Sequence, residues 1–116
     1  DEESLVAMVR AILLKLGYQV TGFTSSLEAL KTFQEDSARF DLVLTDQTMP
    51  TLTGFEMARE MVALRPSIPV ILYTGYSETV SPEQAMQAGV SMFLHKPLSA
   101  SQLAVGVREA LDQKSE

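Results

Sequence analysis

Cysteine is absent from this 116-residue chain. That excludes a disulfide framework and a thiolate metal site, and it fits a reducing compartment. Histidine occurs once, as His95, so no second imidazole or thiolate can join it in a zinc site. Positive charge is also scarce. Nine Lys and Arg stand against 15 Asp and Glu, for a formal net charge of −6 and a pI of about 4.7. Direct binding of nucleic acid by charge needs a basic face, and this balance argues against it. The excess acid is either solubilising surface charge or in part a cation pocket. No apolar stretch approaches membrane-spanning length and no basic-then-apolar leader is present, so no membrane insertion is expected and the cytoplasm is the default location.

What is present suits a globular domain. Hydrophobic residues make up 46% and charged residues 21%, ordinary values for such a chain. The length suits one domain, 1–116, with a core of its own.

Three short apolar runs read as buried strands: Leu42 to Thr45, Val70 to Tyr73 and Met92 to His95. They do not alternate polar with apolar, as expected of a parallel sheet covered on both faces. Tyr18 to Thr21 is a weaker strand candidate. Helical patterns lie between them. Leu5, Met8, Val9, Ile12, Leu13 and Leu16 recur at helical spacing, with Gly17 as a stop. Ser25 to Glu28 forms a capping box, and Leu27, Leu30 and Phe33 follow. Gly54 to Leu64 places Phe55, Ala58, Met61 and Val62 on one face, and Pro66 ends it. Ser81-Pro82 opens another helix, which Gly89 closes. Ser99 to Gln102 opens the last, with Leu103, Val107, Ala110 and Leu111 as its stripe. The methionines on these faces read as core filler. Strict alternation of helix and strand predicts an α/β doubly wound sheet. Five helices have only four strand candidates between them, because the chain opens on a helix preceded by Asp1, Glu2 and Glu3.

Each strong apolar run ends in a chemically distinct residue: Asp46, Thr74 and Lys96. A carboxylate, a hydroxyl and an ammonium at strand ends can take up a phosphoryl group and sense its arrival. With Asp1-Glu2, Met49-Pro50, Gly54, Thr74-Gly75 and Lys96-Pro97 in this order, the chain resembles the receiver domains of two-component response regulators. The resemblance spans essentially the whole sequence. The wording of Asp46 to Pro50 and Thr74 to Ser77 is most similar to receivers of hybrid sensor histidine kinases.

The resemblance implies a flavodoxin-like parallel sheet in the order 2-1-3-4-5, with ligands beyond the carboxyl ends of the strands. Receivers begin with an apolar strand ending in two adjacent acids. Asp1 matches the second acid, and the first strand is absent from the sequence. A fragment, unrecorded upstream residues or a strand supplied by another chain would each account for this.

By the same resemblance Asp46 is the phosphoacceptor. Mg²⁺ or Mn²⁺ would be held by Asp1, Asp46 and the main-chain carbonyl of Thr48, with Glu2 as an outer participant. Lys96 would pair with the phosphoryl oxygens, and the Lys96–Pro97 peptide bond would be cis. Thr74 would bond the new phosphoryl group and Phe93 would turn inward as the switch aromatic. Thr48 and Tyr76 would tune water access. The donor is a histidine kinase or histidine phosphotransfer domain, and the output face is the fourth helix, fifth strand and fifth helix, Ser81 to Gln113, also the surface for a homodimer. Any catalysis is confined to Mg²⁺-dependent self-phosphorylation and autodephosphorylation.

Each residue also has an ordinary reading. Asp46 alone would be a turn aspartate, Asp1 a helix-dipole acid, Lys96 a surface lysine, Thr74 a strand-end hydroxyl and Phe93 a core aromatic. His95 reads as a packing or surface residue. The alternative functions are a receiver that binds partners without phosphorylation, an aspartate-nucleophile phosphatase and a flavin-binding domain. The phosphatase would need a second acid where Thr48 stands, and the flavin domain would need a glycine-rich loop that the chain lacks.

Overall fold

The computed structural model describes residues 2–23, 25–47, 52–74, 82–95 and 99–114. The helices are α1 (Glu2–Lys15), α2 (Ser26–Glu35), α3 (Gly54–Leu64), α4 (Pro82–Gln87) and α5 (Ala100–Lys114); the strands are β1 (Val43–Asp46), β2 (Val70–Thr74) and β3 (Met92–His95). A 3₁₀ turn, Ser37–Arg39, follows α2. Among the described residues no helix is long and apolar enough to cross a membrane.

Helix ends follow local chemistry. Gly17 stops α1 at φ +95°, and the Gly17 and Tyr18 amides donate back to the Leu14 and Leu13 carbonyls, the pairing of a Schellman turn. Ser25 caps α2 by accepting the Glu28 amide at 3.3 Å. Ser99 caps α5 through a reciprocal box: its Oγ accepts the Gln102 amide at 3.1 Å and its own amide donates to Gln102 Oε1 at 3.0 Å. Arg65, just past α3, donates from Nη1 to the Ser37 carbonyl at 2.7 Å and to the Phe40 carbonyl. It thereby bonds carbonyls at both ends of the 3₁₀ turn.

The three strands are parallel in the order β1-β2-β3. They correspond to the third, fourth and fifth strands of the flavodoxin-like order. Register runs from Val43 opposite Val70 to Asp46 opposite Tyr73, and from Ile71 opposite Met92 to Thr74 opposite His95. Central β2 is buried along its whole length. Its alternate residues feed two cores. Val70 and Leu72 pack with Leu30 and Phe33 of α2 and Met57, Ala58 and Met61 of α3. Ile71 packs with Val9 and Leu13 of α1 and Leu103, Val107 and Ala110 of α5. Helices therefore cover both faces, the doubly wound arrangement.

Two expectations are corrected. Tyr18 to Thr21 is not a strand. A strand needs a ladder partner, and in the 2-1-3-4-5 order its neighbour would be the first strand. Among the described residues none lies there. A cavity of about 910 Å³ is lined by this segment and by β1, with Val9, Leu13, Val20, Leu44, Val107 and Leu111 among its walls. The apolar stripes are also wider than the buried faces. Met8, Leu16 and Leu27 are exposed, as is Met86 of α4, whereas Met57 and Met61 fill the core as expected.

Candidate functional site at the carboxyl edge of the sheet

β1, β2 and β3 end at Asp46, Thr74 and His95. The register makes these ends neighbours. Asp46 lies opposite Tyr73, one residue before Thr74, and Thr74 lies opposite His95, one residue before Lys96. Asp46 and Thr74 are both buried, at 7% and 1% exposure. The Thr45 hydroxyl donates to the Asp46 carbonyl at 3.1 Å.

The start of α3 is docked on this strand end. A Cβ on Gly54 would meet the Asp46 carbonyl oxygen at 2.2 Å and Leu72 Cδ1 at 2.9 Å. Only glycine permits that approach. Gln47, buried at 6% exposure, ties the junction together. Its amide donates to the Tyr73 carbonyl at 3.0 Å, and its carbonyl accepts the Gly54 amide at 3.2 Å. Its side-chain Oε1 accepts the Phe55 amide at 2.7 Å. The positive end of the α3 dipole therefore sits beside the Asp46 strand end, a favourable setting for negative charge.

α3 is capped by a complete box. Thr53 Oγ1 accepts the Glu56 amide at 3.2 Å, and Glu56 Oε1 accepts the Thr53 amide at 3.0 Å. The Thr53 backbone bond, then the Thr53 hydroxyl, holds the Glu56 carboxyl below its ordinary value.

Phe93 is half-buried. It packs against the α2–α3 core and meets the exposed His95 ring edge-on at a centroid distance of 5.2 Å. His95 is thus a surface and packing residue, as its solitary occurrence implies. Asp1, Thr48, Lys96 and Pro97 lie outside the described residues, as do the Glu2 side chain, Met49, Pro50 and Tyr76. Of the expected metal donors the structure therefore describes the side chain of Asp46 alone, and no three His, Cys, Asp or Glu side chains cluster among the described residues. An expected donor set made only of oxygen, built around a buried carboxylate, has the chemistry for Mg²⁺ or Mn²⁺.

Two features of the site escaped the sequence reading. The box at Thr53 to Glu56 carries a readable Thr-x-x-Glu signature. Gln47 carries no local signal, since its partner amide lies eight residues on.

The family model for the response regulator receiver domain matches residues 1–108. Among curated relatives, the transcriptional regulatory protein ZraR of Klebsiella oxytoca is 35% identical over 111 residues, 96% of this chain and 25% of that protein. The C4-dicarboxylate transport transcriptional regulatory protein DctD of Rhizobium meliloti is 32% identical over 98% of this chain and 24% of its own length. The chain thus spans about a quarter of these relatives. Among solved structures, a response regulator receiver domain protein from Clostridium thermocellum superposes with a TM-score of 0.92 at 30% identity, covering 99% of this chain and 92% of that one. With its parallel sheet, the carboxylate and hydroxyl at adjoining strand ends and these matches, the chain belongs to the response regulator receiver domains, the phosphoacceptors of two-component signalling.

Proposed function

We propose that Asp46 is the acceptor, taking a phosphoryl group from a phosphohistidine of a histidine kinase or phosphotransfer domain. An Asp46 carboxylate oxygen forms the new P–O bond as the donor's P–N bond breaks. The imidazole leaves with that electron pair and takes up a proton. The observation that carries this reading is the buried Asp46 carboxylate at a strand end, beside the α3 N-terminus and one register step from Thr74.

Receiver domains in general depend on Mg²⁺ for phosphorylation. Here Asp1, Asp46 and the Thr48 carbonyl would hold it, with Glu2 outside. The bound cation supplies neutralisation of the charge shared by acceptor and phosphoryl oxygens. Lys96 pairs with a phosphoryl oxygen as a movable cation, and its peptide bond to Pro97 is cis. Thr74 donates its hydroxyl to the phosphoryl group, and Phe93 turns inward from its half-buried position. The output and self-association face is α4, β3 and α5, where Met86 and Val105 are exposed apolar side chains. We place the domain in the cytoplasm, with its donor.

Intact mass after incubation with phosphoramidate, with and without Mg²⁺, tests the assignment. Uptake of one phosphoryl group that needs Mg²⁺ and disappears in Asp46→Asn is the expected result. Uptake that persists in Asp46→Asn, or none in the folded protein, overturns it.

A further inference from the structure

We propose that His95 is a positioning residue for the Phe93 switch, its ring holding Phe93 in the half-buried position. This rests on the reading of Phe93 and Thr74 as the switch pair. The register gathers the three residues. Phe93 lies opposite Leu72, and His95 lies opposite Thr74. Alternate residues of a strand share a face of the sheet, and so do residues opposite each other in the ladder. Leu72, Thr74, Phe93 and His95 are therefore on one face. Leu72 and Phe93 identify it as the α2–α3 side, since both pack in that core. β3 is the outermost strand on its side of the described sheet, so Phe93 packs at the margin of the core rather than inside it.

The Phe93 and His95 rings meet at 5.2 Å between centroids and 67° between planes, the edge-to-face arrangement that aromatic pairs prefer. Thr74 stands on the neighbouring strand, directly across from His95 and diagonal to Phe93. A Phe93 ring that turns toward Thr74 leaves the position in which it meets His95. The contact therefore belongs to the half-buried position, and its loss favours the inward one. The energy of such a pair shifts a two-state equilibrium by about 2- to 10-fold. The exposed imidazole at the end of β3 thus sets how far the switch rests toward its outward side before any phosphoryl group arrives.

The test reads nuclear Overhauser contacts between the Phe93 ring and the Thr74 methyl group in the unphosphorylated protein. His95→Ala is expected to strengthen this contact by about 2- to 10-fold. His95→Phe, which keeps an aromatic edge, is expected to leave it at the parent level. Should His95→Ala fail to fold, His95→Gln carries the same expectation, because it stays polar at this exposed position. An unchanged contact in the folded variant overturns the proposal, as does an equal gain in His95→Phe. The parent protein, treated with phosphoramidate and Mg²⁺, judges the switch separately. A Phe93–Thr74 contact that grows on phosphorylation supports the switch, so that a failure of the variants then counts against His95 alone. No growth in a parent shown by intact mass to carry the phosphoryl group overturns the switch and the role of His95 together.

Discussion

Gly54 meets the main chain of Asp46 so closely that a Cβ there would lie 2.2 Å from the Asp46 carbonyl oxygen. The obstacle is backbone, which cannot swing aside. Gly54→Ala must push the start of α3 off β1 and stretch the Gly54 and Phe55 bonds to Gln47. Overpacking of this kind destabilises by about 1–3 kcal/mol, more than a better helix former returns. Urea denaturation should show the loss, and phosphoryl uptake by the folded fraction should fall with it.

Thr74 is buried at 1% exposure at the end of β2. Thr74→Val keeps the shape and removes the hydroxyl. Under the proposed switch, phosphoryl uptake on Asp46 should survive, while the proposed response of Phe93 to phosphorylation should be lost. Ring resonances of Phe93 before and after phosphorylation check this, and Thr74→Ser should retain the response.

The Thr53–Glu56 box makes the α3 start sensitive to acid. Thr53 holds the Glu56 carboxyl below its ordinary value of 4.5 in the folded state. The stabilisation is therefore fully present above that value and is lost as pH falls through the lowered folded value. In Glu56→Gln, stability should vary less with pH below about 4.5. Thr53→Ala removes the cap itself and should cost about 1 kcal/mol at neutral pH. Denaturation midpoints across pH 3 to 7 compare the two.

Gly89 closes α4 at φ +99°, and a Cβ on it would stand 2.6 Å from Val62 Cγ1 on α3. Gly89→Ala therefore meets both backbone strain and a clash. A loss of about 1–3 kcal/mol is expected. Adding Val62→Ala should recover the clash component and leave the backbone component, so a double-mutant cycle in urea should show positive coupling.

The local sequence was enough to place the three apolar runs ending near Asp46, Thr74 and His95, the stops at Gly17 and Gly89, and the caps at Ser25 and Ser99. These features depend on interactions within a few residues, so a linear reading finds them. The residues proposed to carry phosphoryl chemistry are legible for the same reason, each following a strand-like run. Tertiary structure alone decided the pairing of Asp46 with Tyr73 and of Thr74 with His95, the contact of Gly54 with the Asp46 carbonyl and the bond from Phe55 to Gln47. It also decided that Tyr18 to Thr21 lies beside a cavity rather than in the sheet, and that Met8 and Leu27 face solvent. Strand identity and burial both require a partner surface. Register, burial and close approach are properties of two segments at once, and no single stretch of sequence contains them.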